Sequence, residues 1–397
     1  MSGEFAAFTE AVSKSSTATE PSVIPALSRV AVLGGGADAR LLSALCLAQE
    51  AQVTLFSAYG HELELLRNSS GISVRNTGPV GTYQVDRQGV PSVQTTAELD
   101  KAVSDAEVIF LSGPIHKQRT YAMVLASHLN DGQILVLAPG RSLGALETAW
   151  FLRIGGCEAD VTIVETQGLP FWYEAEGAVL NLSEAGAVVA ATLPSGRPQI
   201  IQQLQRFLPN LQAVDSVLRS GFSDGSALVE IPALLINGPA LGSGAPVVPM
   251  GGQPLDENHT FAALAGAEQT AVINQLAAER HAVATQFGVR DLPSAEEWLH
   301  THAGAMRGAG ARGVPDQQQA KELLRDGVIG SLVPLLSAAQ ITGTDTPMTH
   351  AMVTLVTSVL GVDVAAAGRR LDTIGINASN IDTARRAMDN IAMGRSQ

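Results

Sequence analysis

Residues 28–60, SRVAVLGGGADARLLSALCLAQEAQVTLFSAYG, restrict this chain more than any other stretch. An apolar run at 30–33 meets the glycine triplet Gly34, Gly35 and Gly36, a helical pattern follows, and a second apolar run covers 53–56. Strand, tight turn, helix and strand make the first βαβ unit of a dinucleotide-binding fold. The spacing Gly34-x-Gly36-x-x-Ala39 fits the G-x-G-x-x-G/A fingerprint. Gly34 permits the tight turn, Gly36 lets a pyrophosphate approach the backbone, and Ala39 lets helix and strand pack closely. The helix start, with Gly35, Ala37 and Asp38 beside it, offers N–H groups and a positive dipole end to phosphates.

The alternation continues. Strands are expected at 71–76, 107–112, 132–137, 161–165, 187–192 and 211–218, with helices at 62–67, 97–103, 117–129, 143–155 and 197–207. Apolar strands alternating with helices imply a parallel sheet covered on both faces. After about Ser220 the pattern is helical, at 262–287, 295–302, 317–324, 332–341, 348–360 and 381–393, with loops at 255–260 and 308–316. The expected fold is α/β: a flexible tail at 1–27, a Rossmann-type domain at 28–219 and an all-helical substrate domain at 220–397. The active site belongs in the crevice between the two domains.

Composition narrows the partners. With a net charge of −13, nucleic acid and anionic membrane are not expected, which leaves a small-molecule substrate. Cys46 lies mid-helix and Cys157 in a turn, so neither a disulfide framework nor a metal cluster is expected, and the reducing cytoplasm is the default. No apolar run reaches membrane-spanning length and no signal-peptide pattern opens the chain. His259, His281, His300, His302 and His350 have no neighbours that suggest metal ligation. His300 and His302 are too close on a helix to share a face, and both read as surface.

Several segments resemble the opine dehydrogenases of the octopine/nopaline type: VAVLGGGADA at 30–39, LNDGQILVLAPGRSLGALE at 129–147, VETQGLPF at 164–171, IPALLING at 231–238 and SLVPLLSAAQITGTDTPMTHAMVTL at 331–355. The resemblance implies a nicotinamide-dependent enzyme that joins the amino group of an amino acid to a 2-oxo acid and reduces the imine between them. It also implies a catalytic His–Asp pair in the helical domain. Here Glu230 stands at the His position, Asn237 matches a substrate-domain Asn, and Asp326 adjoins Gly327 at the Asp position. Glu322 stands where an Arg near substrate carboxylates is expected, and Ala263-Leu264-Ala265-Gly266 replaces a Tyr-x-Glu-Gly. These departures leave open a reductase of another imine or carbonyl compound, or a cofactor-binding protein without catalysis.

The residues themselves offer substitutes. Glu230 donates a proton only if burial and like charges such as Asp224 and Asp326 raise its pKa; otherwise it is a solvated carboxylate at a helix start. His116 follows the turn Gly113-Pro114 at the carboxyl edge of the sheet, where a nicotinamide would lie, and is either a second proton donor or a surface turn residue. Arg141 presents a planar fork for a substrate carboxylate. Glu165, with Thr166 and Gln167, ends a strand at the same edge and is expected to line the cofactor pocket. The second strand ends in Leu55-Phe56-Ser57-Ala58-Tyr59 without the acid usual for NAD. Ser57 leaves room for a 2′-phosphate, and His61 or Arg67 can supply charge, so NADPH is expected in preference to NAD. The apolar run at 353–360 is either core or the face of a homodimer.

Overall fold

A computed structural model describes residues 27–69, 71–237, 260–308 and 310–393. Apart from Leu27 and Thr260, the tail expected at 1–27 and the loop expected at 255–260 lie outside the described residues. The strands, in chain order, are β1 (Arg29–Leu33), β2 (Gln52–Phe56), β3 (Ile72–Arg75), β4 (Gly81–Tyr83), β5 (Gln94–Thr96) and β6 (Val108–Leu111). They continue with β7 (Ile134–Leu137), β8 (Thr162–Thr166), β9 (Phe171–Glu176), β10 (Val179–Glu184), β11 (Val188–Leu193) and β12 (Leu211–Ala213). The helices of the first half are α1 (Ala37–Ala48), α2 (Gly60–Asn68), α3 (Leu99–Val103), α4 (Gln118–Leu125), α5 (Gly144–Ile154), α6 (Pro198–Leu204) and α7 (Val217–Ser223). Those of the second are α8 (Ser226–Asn237), α9 (Ala267–Gln286), α10 (Ala295–Ala303), α11 (Gln317–Gly327), α12 (Val333–Thr342), α13 (Pro347–Leu360) and α14 (Ile381–Ala392).

Eight strands form the main sheet in the order β12-β11-β8-β7-β6-β1-β2-β5. From β5 to β8 every pairing is parallel. The expected parallel sheet is present with one exception, β11, which runs antiparallel to β8. The chain leaves the carboxyl end of β8, makes the β9–β10 hairpin there, and re-enters the sheet from that same end. No helix carries it back to the far edge, as a parallel neighbour would require. The strand expected at 211–218 stops at Ala213. Ser216 then caps α7, its Oγ accepting from the Arg219 N–H at 3.3 Å. The helix expected at 262–287 is two pieces, a 3₁₀ turn over Phe261–Leu264 and α9, with Gly266 as the N-cap between them.

A second sheet, β4-β3-β10-β9, was anticipated only at β3. Its strands are half exposed, so the apolar signal is diluted; the two-residue turn Gly177-Ala178, with Gly177 at φ +58°, closes the hairpin.

The main sheet is buried on both faces, which is why its strands read as continuous apolar runs. In β6, Val108 and Phe110 face a core built with Leu41, Leu45 and Phe207, while Ile109 and Leu111 face one built with Leu125, Leu146 and Leu152. That second core also takes Ala384, Met388 and Ile391, so α14 returns to cover the sheet beside α5. The helical half has its own core around Leu228, Ile231, Leu276, Trp298 and Leu324. On α13, Val353 and Val356 pack into that core while Leu355 and Val359 are each 48% exposed.

Arg369 joins the halves. It is fully buried, and its Nε donates to Glu147 Oε2 at 2.8 Å; its other nitrogens donate to the carbonyls of Gly140 and Ser142 and to Gln118 Oε1. Just before α12 the helix passes through a π turn, Val328–Leu332. Two carbonyls of that turn accept from outside it, Ile329 from Arg369 N–H at 3.1 Å and Gly330 from Ser142 N–H of the sheet half at 2.8 Å. Arg369→Met takes from the buried Glu147 carboxylate one of its two cationic partners, Arg119 remaining at 3.1 Å, and leaves Gln118 and the carbonyls of Gly140 and Ser142 without their donor, so urea unfolding is expected to show a loss of about 2–4 kcal/mol. An unchanged midpoint and slope would contradict this role for the pair.

Candidate active site

The glycine turn connects β1 to α1 at the carboxyl edge of the sheet. Gly34 adopts φ +129° and donates its N–H to Phe56 O at 2.9 Å; a Cβ there would stand 2.7 Å from Ser112 Oγ. Gly36 has extended backbone, and a Cβ on it would meet nothing within 4 Å. The same openness holds at Gly113, at the end of β6. Ala39 is fully buried against the sheet. No side chain among the described residues caps α1, so its first N–H groups are left to an anion. These features fit a dinucleotide whose pyrophosphate rests on the turn.

The neighbouring side chains depart from the expected arrangement. Asp38 accepts from Tyr173 Oη at 2.6 Å, and burial raises its carboxyl above the usual range. Arg40 donates to the carbonyl of Gly177, so the β9–β10 hairpin is tied down over the glycine helix at two points. Ser57 is 1% exposed, and its hydroxyl donates to the Glu62 carboxylate. The room expected at Ser57 for a 2′-phosphate is therefore filled by an acid. Arg67 is not available to such a phosphate either, since it pairs with Asp86 at 3.0 Å and with Thr95 at 2.9 Å.

A cavity of about 210 Å³ opens beside this turn, between the sheet edge and the helical half. The sheet side contributes Asp38, Gly113, Pro139, Arg141 and Gln167, and the hairpin contributes Phe171, Trp172 and Tyr173. The helical half contributes Ser226, Glu230, His302, Arg312, Glu322 and Asp326.

Arg141 is the hub. Its backbone is left-handed, φ +59°, in the Pro139–Leu143 turn that Arg369 clamps, and this aims the guanidinium at the cavity. Nη1 bonds Ser226 Oγ and lies 3.5 Å from Asp224 Oδ1, while Nε is buried without a partner. Burial alone would raise Asp224, yet Arg141 and then Arg280 hold its carboxyl below the usual range. Glu230, Asp326 and Asp38 also lie in the field of Arg141.

Asp326, from the last turn of α11, is half-buried, with Oδ1 shut off from solvent and unpartnered. Burial raises its carboxyl to about 6 against the opposing pull of Arg141 and Arg325. Glu230 is 4% exposed, and its Oε1 accepts from Arg312 Nη2 at 2.8 Å. A carboxylate locked to a guanidinium orients that cation; it would have to break the pair to hand over a proton. The pair makes Glu230 the holder of Arg312, and its Oε2 is buried without a partner. Arg312 in turn lies over the rings of Phe261 and Trp172, its carbon 4.1 Å and 5.4 Å from the ring centres, and donates to His302 O at 2.6 Å.

His302 corrects a surface assignment. His300 and His302 do point to different sides of α10, but only His300 faces water. His302 faces the cavity, and burial pushes its imidazole down to about 4, with Glu230 and Asp224 pulling the other way.

Other expected residues fall elsewhere. His116 sits in the 3₁₀ turn Ile115–Lys117, packed on the π turn and outside the cavity lining. Burial and then Arg325, Lys117 and Arg119 lower its pKa, which favours the neutral ring. Pro114 opens that turn and does not line the cavity, whereas Gly113 does. Glu165 faces inward, where it accepts from Ala145 N–H at 2.9 Å and Ser220 Oγ at 2.6 Å. It serves as the cap of α5 that Leu143 cannot provide, and burial raises it to about 7. Asn237 closes α8, and its side chain lies outside the described residues. Among the described residues no cluster of His, Cys, Asp or Glu could hold a metal ion, and no helix is long and apolar enough to cross a membrane.

No family model matches the chain. It is 28% identical over 361 residues to the opine dehydrogenase of Arthrobacter sp. (strain 1C), an alignment covering 87% of this chain and 95% of that protein. The chain is a relative of the opine dehydrogenases. It is also 22% identical over 374 residues to protein ocs of Agrobacterium tumefaciens (strain Ach5), covering 92% of this chain and all of that one. Among solved structures, octopine dehydrogenase with NADH and pyruvate superimposes with a TM-score of 0.66 at 17% identity, over 93% of this chain and 99% of that one. D-mandelate dehydrogenase with NADH and anilino(oxo)acetate gives 0.61 at 12% identity, over 84% and 99%. These likenesses show a shared fold, a Rossmann-type sheet followed by a helical domain.

Because a Cβ at Gly36 meets only open space, Gly36→Ala is expected to leave thermal stability unchanged. It is expected to weaken NADH binding by about tenfold or more, since the methyl enters the pyrophosphate's path. Titration calorimetry showing wild-type affinity would exclude the turn as the phosphate seat.

Proposed function

We propose that this chain is a nicotinamide-dinucleotide-dependent reductase that reduces the imine formed between an amine, such as an amino acid, and a 2-oxo acid. The observation that carries the reading is the composition of the crevice. Arg141, whose buried Nε has no partner, and Asp326, whose carboxyl burial raises to about 6, line one cavity beside the glycine turn. The relationship to the Arthrobacter opine dehydrogenase supports it.

The dinucleotide, when bound, supplies the hydride. Arg141 holds the carboxylate of the 2-oxo acid, for which its planar fork is suited. His302, kept neutral by burial, accepts a hydrogen bond from the amine nitrogen and orients it; the amine enters having left its proton to solvent, because only a neutral amine attacks a carbonyl. Asp326 gives its proton to the departing hydroxyl as the imine forms, and that proton leaves in the water; the N–H of the product is the amine's own. The Glu230–Arg312 pair fixes the far wall against Phe261 and Trp172, and the hairpin strand β9 excludes water from above.

Asp326 must be protonated to act, and its carboxyl titrates at about 6. Reductive kcat/KM is therefore expected to fall as pH rises through that value. Asp326→Asn is expected to lower it by about 10²–10⁴-fold and to remove that limb, with dinucleotide affinity preserved. A wild-type pH profile in Asp326→Asn would remove Asp326 from the mechanism. Consumption of a 2-oxo acid at full rate without any amine would point instead to a simple carbonyl reductase on the same scaffold.

A further inference from the structure

The end of β2 carries no acid in sequence, yet an acid occupies that place. Glu62 comes from the first turn of α2, and its carboxylate accepts a hydrogen bond from Ser57 Oγ. The same side chain lies against the glycine turn: a Cβ built on Gly35 would be 2.5 Å from Glu62 Cδ and 2.7 Å from Glu62 Cβ. The carboxylate thus stands between the turn that receives phosphates and the end of the second strand. In an α/β dinucleotide site this is where the adenosine ribose is read.

The hydrogen bonds around it settle which ribose fits. Ser57 gives its proton to Glu62 and its lone pair to Tyr59 N–H at 3.1 Å, so it has no donor left for a phosphate oxygen. Arg40 is directed at the carbonyls of Gly36, at 3.4 Å, and of Gly177. Lys117 lies over the Tyr59 ring, its Nζ 4.9 Å from the ring centre and 3.3 Å from the hydroxyl. A carboxylate accepts from a ribose hydroxyl, which is a donor. It repels a 2′-phosphate, which offers only charge of the same sign.

We infer that Glu62 is the residue that reads the adenosine ribose. It accepts from the 2′-hydroxyl and excludes a 2′-phosphate, so the chain takes NADH in preference to NADPH. The assignment rests on the dinucleotide reading of the glycine turn. Ser57 is a positioning residue: its hydroxyl holds the carboxylate at the ribose. Glu62 is half-buried, so a neutral isostere there disturbs no core.

Binding of NADH and of NADPH to the full chain, measured by fluorescence titration at fixed ionic strength, tests this without turnover. The wild type is expected to favour NADH by roughly tenfold or more. Glu62→Gln is expected to bring the two affinities within about threefold, chiefly by strengthening NADPH, and Ser57→Ala to give an intermediate ratio. A wild type that binds NADPH as tightly as NADH, or an unchanged ratio in Glu62→Gln, overturns the Glu62 assignment alone. Binding of neither dinucleotide overturns the reading of the glycine turn, and Glu62 falls with it.

Discussion

The buried ion pair between Arg369 and Glu147 is the constraint on which the site depends. Arg369 comes from the helical half, yet its nitrogens are occupied by the sheet half: the Glu147 carboxylate, the carbonyls of Gly140 and Ser142, and Gln118. Those carbonyls belong to a turn in which Arg141 and Leu143 both have positive φ, +59° and +61°. Side chains other than glycine hold that conformation only when the surroundings enforce it. The clamp enforces it, and Arg141 is thereby aimed into the crevice. A buried ion pair of this kind adds little stability over an apolar replacement, but breaking one partner is costly. Its value here is geometric: one guanidinium fixes the orientation of another.

Around Arg141 the protein collects acids from elements far apart in the chain: Asp38 from the glycine helix, Asp224 and Glu230 from the start of the helical half, and Asp326 from α11. Their fates differ because their partners differ. Arginines hold Asp224 below the usual range, Glu230 is tied to Arg312, and burial raises Asp326 to about 6. Environment thus sets apart carboxyl groups of one type, with Asp224 lowered and Asp326 raised.

The first half of the fold was legible because its strands are buried on both faces and its helices carry an apolar stripe; periodicity reports both. The β9–β10 hairpin was not, because half-exposed strands blur the pattern. The direction of β11 follows from where that hairpin ends, which no local signal carries. Arg141 and Asp326 were singled out from their motifs, and both line the cavity. His302 was missed because helical spacing says that two residues face different ways without saying which one faces inward. Glu165 was misplaced for a related reason: a strand end locates a residue at an edge, but its side chain turned under α5 rather than into the crevice. Glu62 escaped because the strand that should carry the acid ends six residues earlier, and only folding brings α2 back against Gly35.

The central claim is that this crevice forms a carbon–nitrogen bond by reduction. The most direct measurement supplies a dinucleotide deuterated at the transferring position together with an amine and a 2-oxo acid, and follows the products by mass spectrometry. The account predicts a secondary amine joining the two substrates, with one deuterium on the former carbonyl carbon. Deuterium found only in a 2-hydroxy acid, or retained entirely on the dinucleotide across a broad panel of pairs, would contradict it.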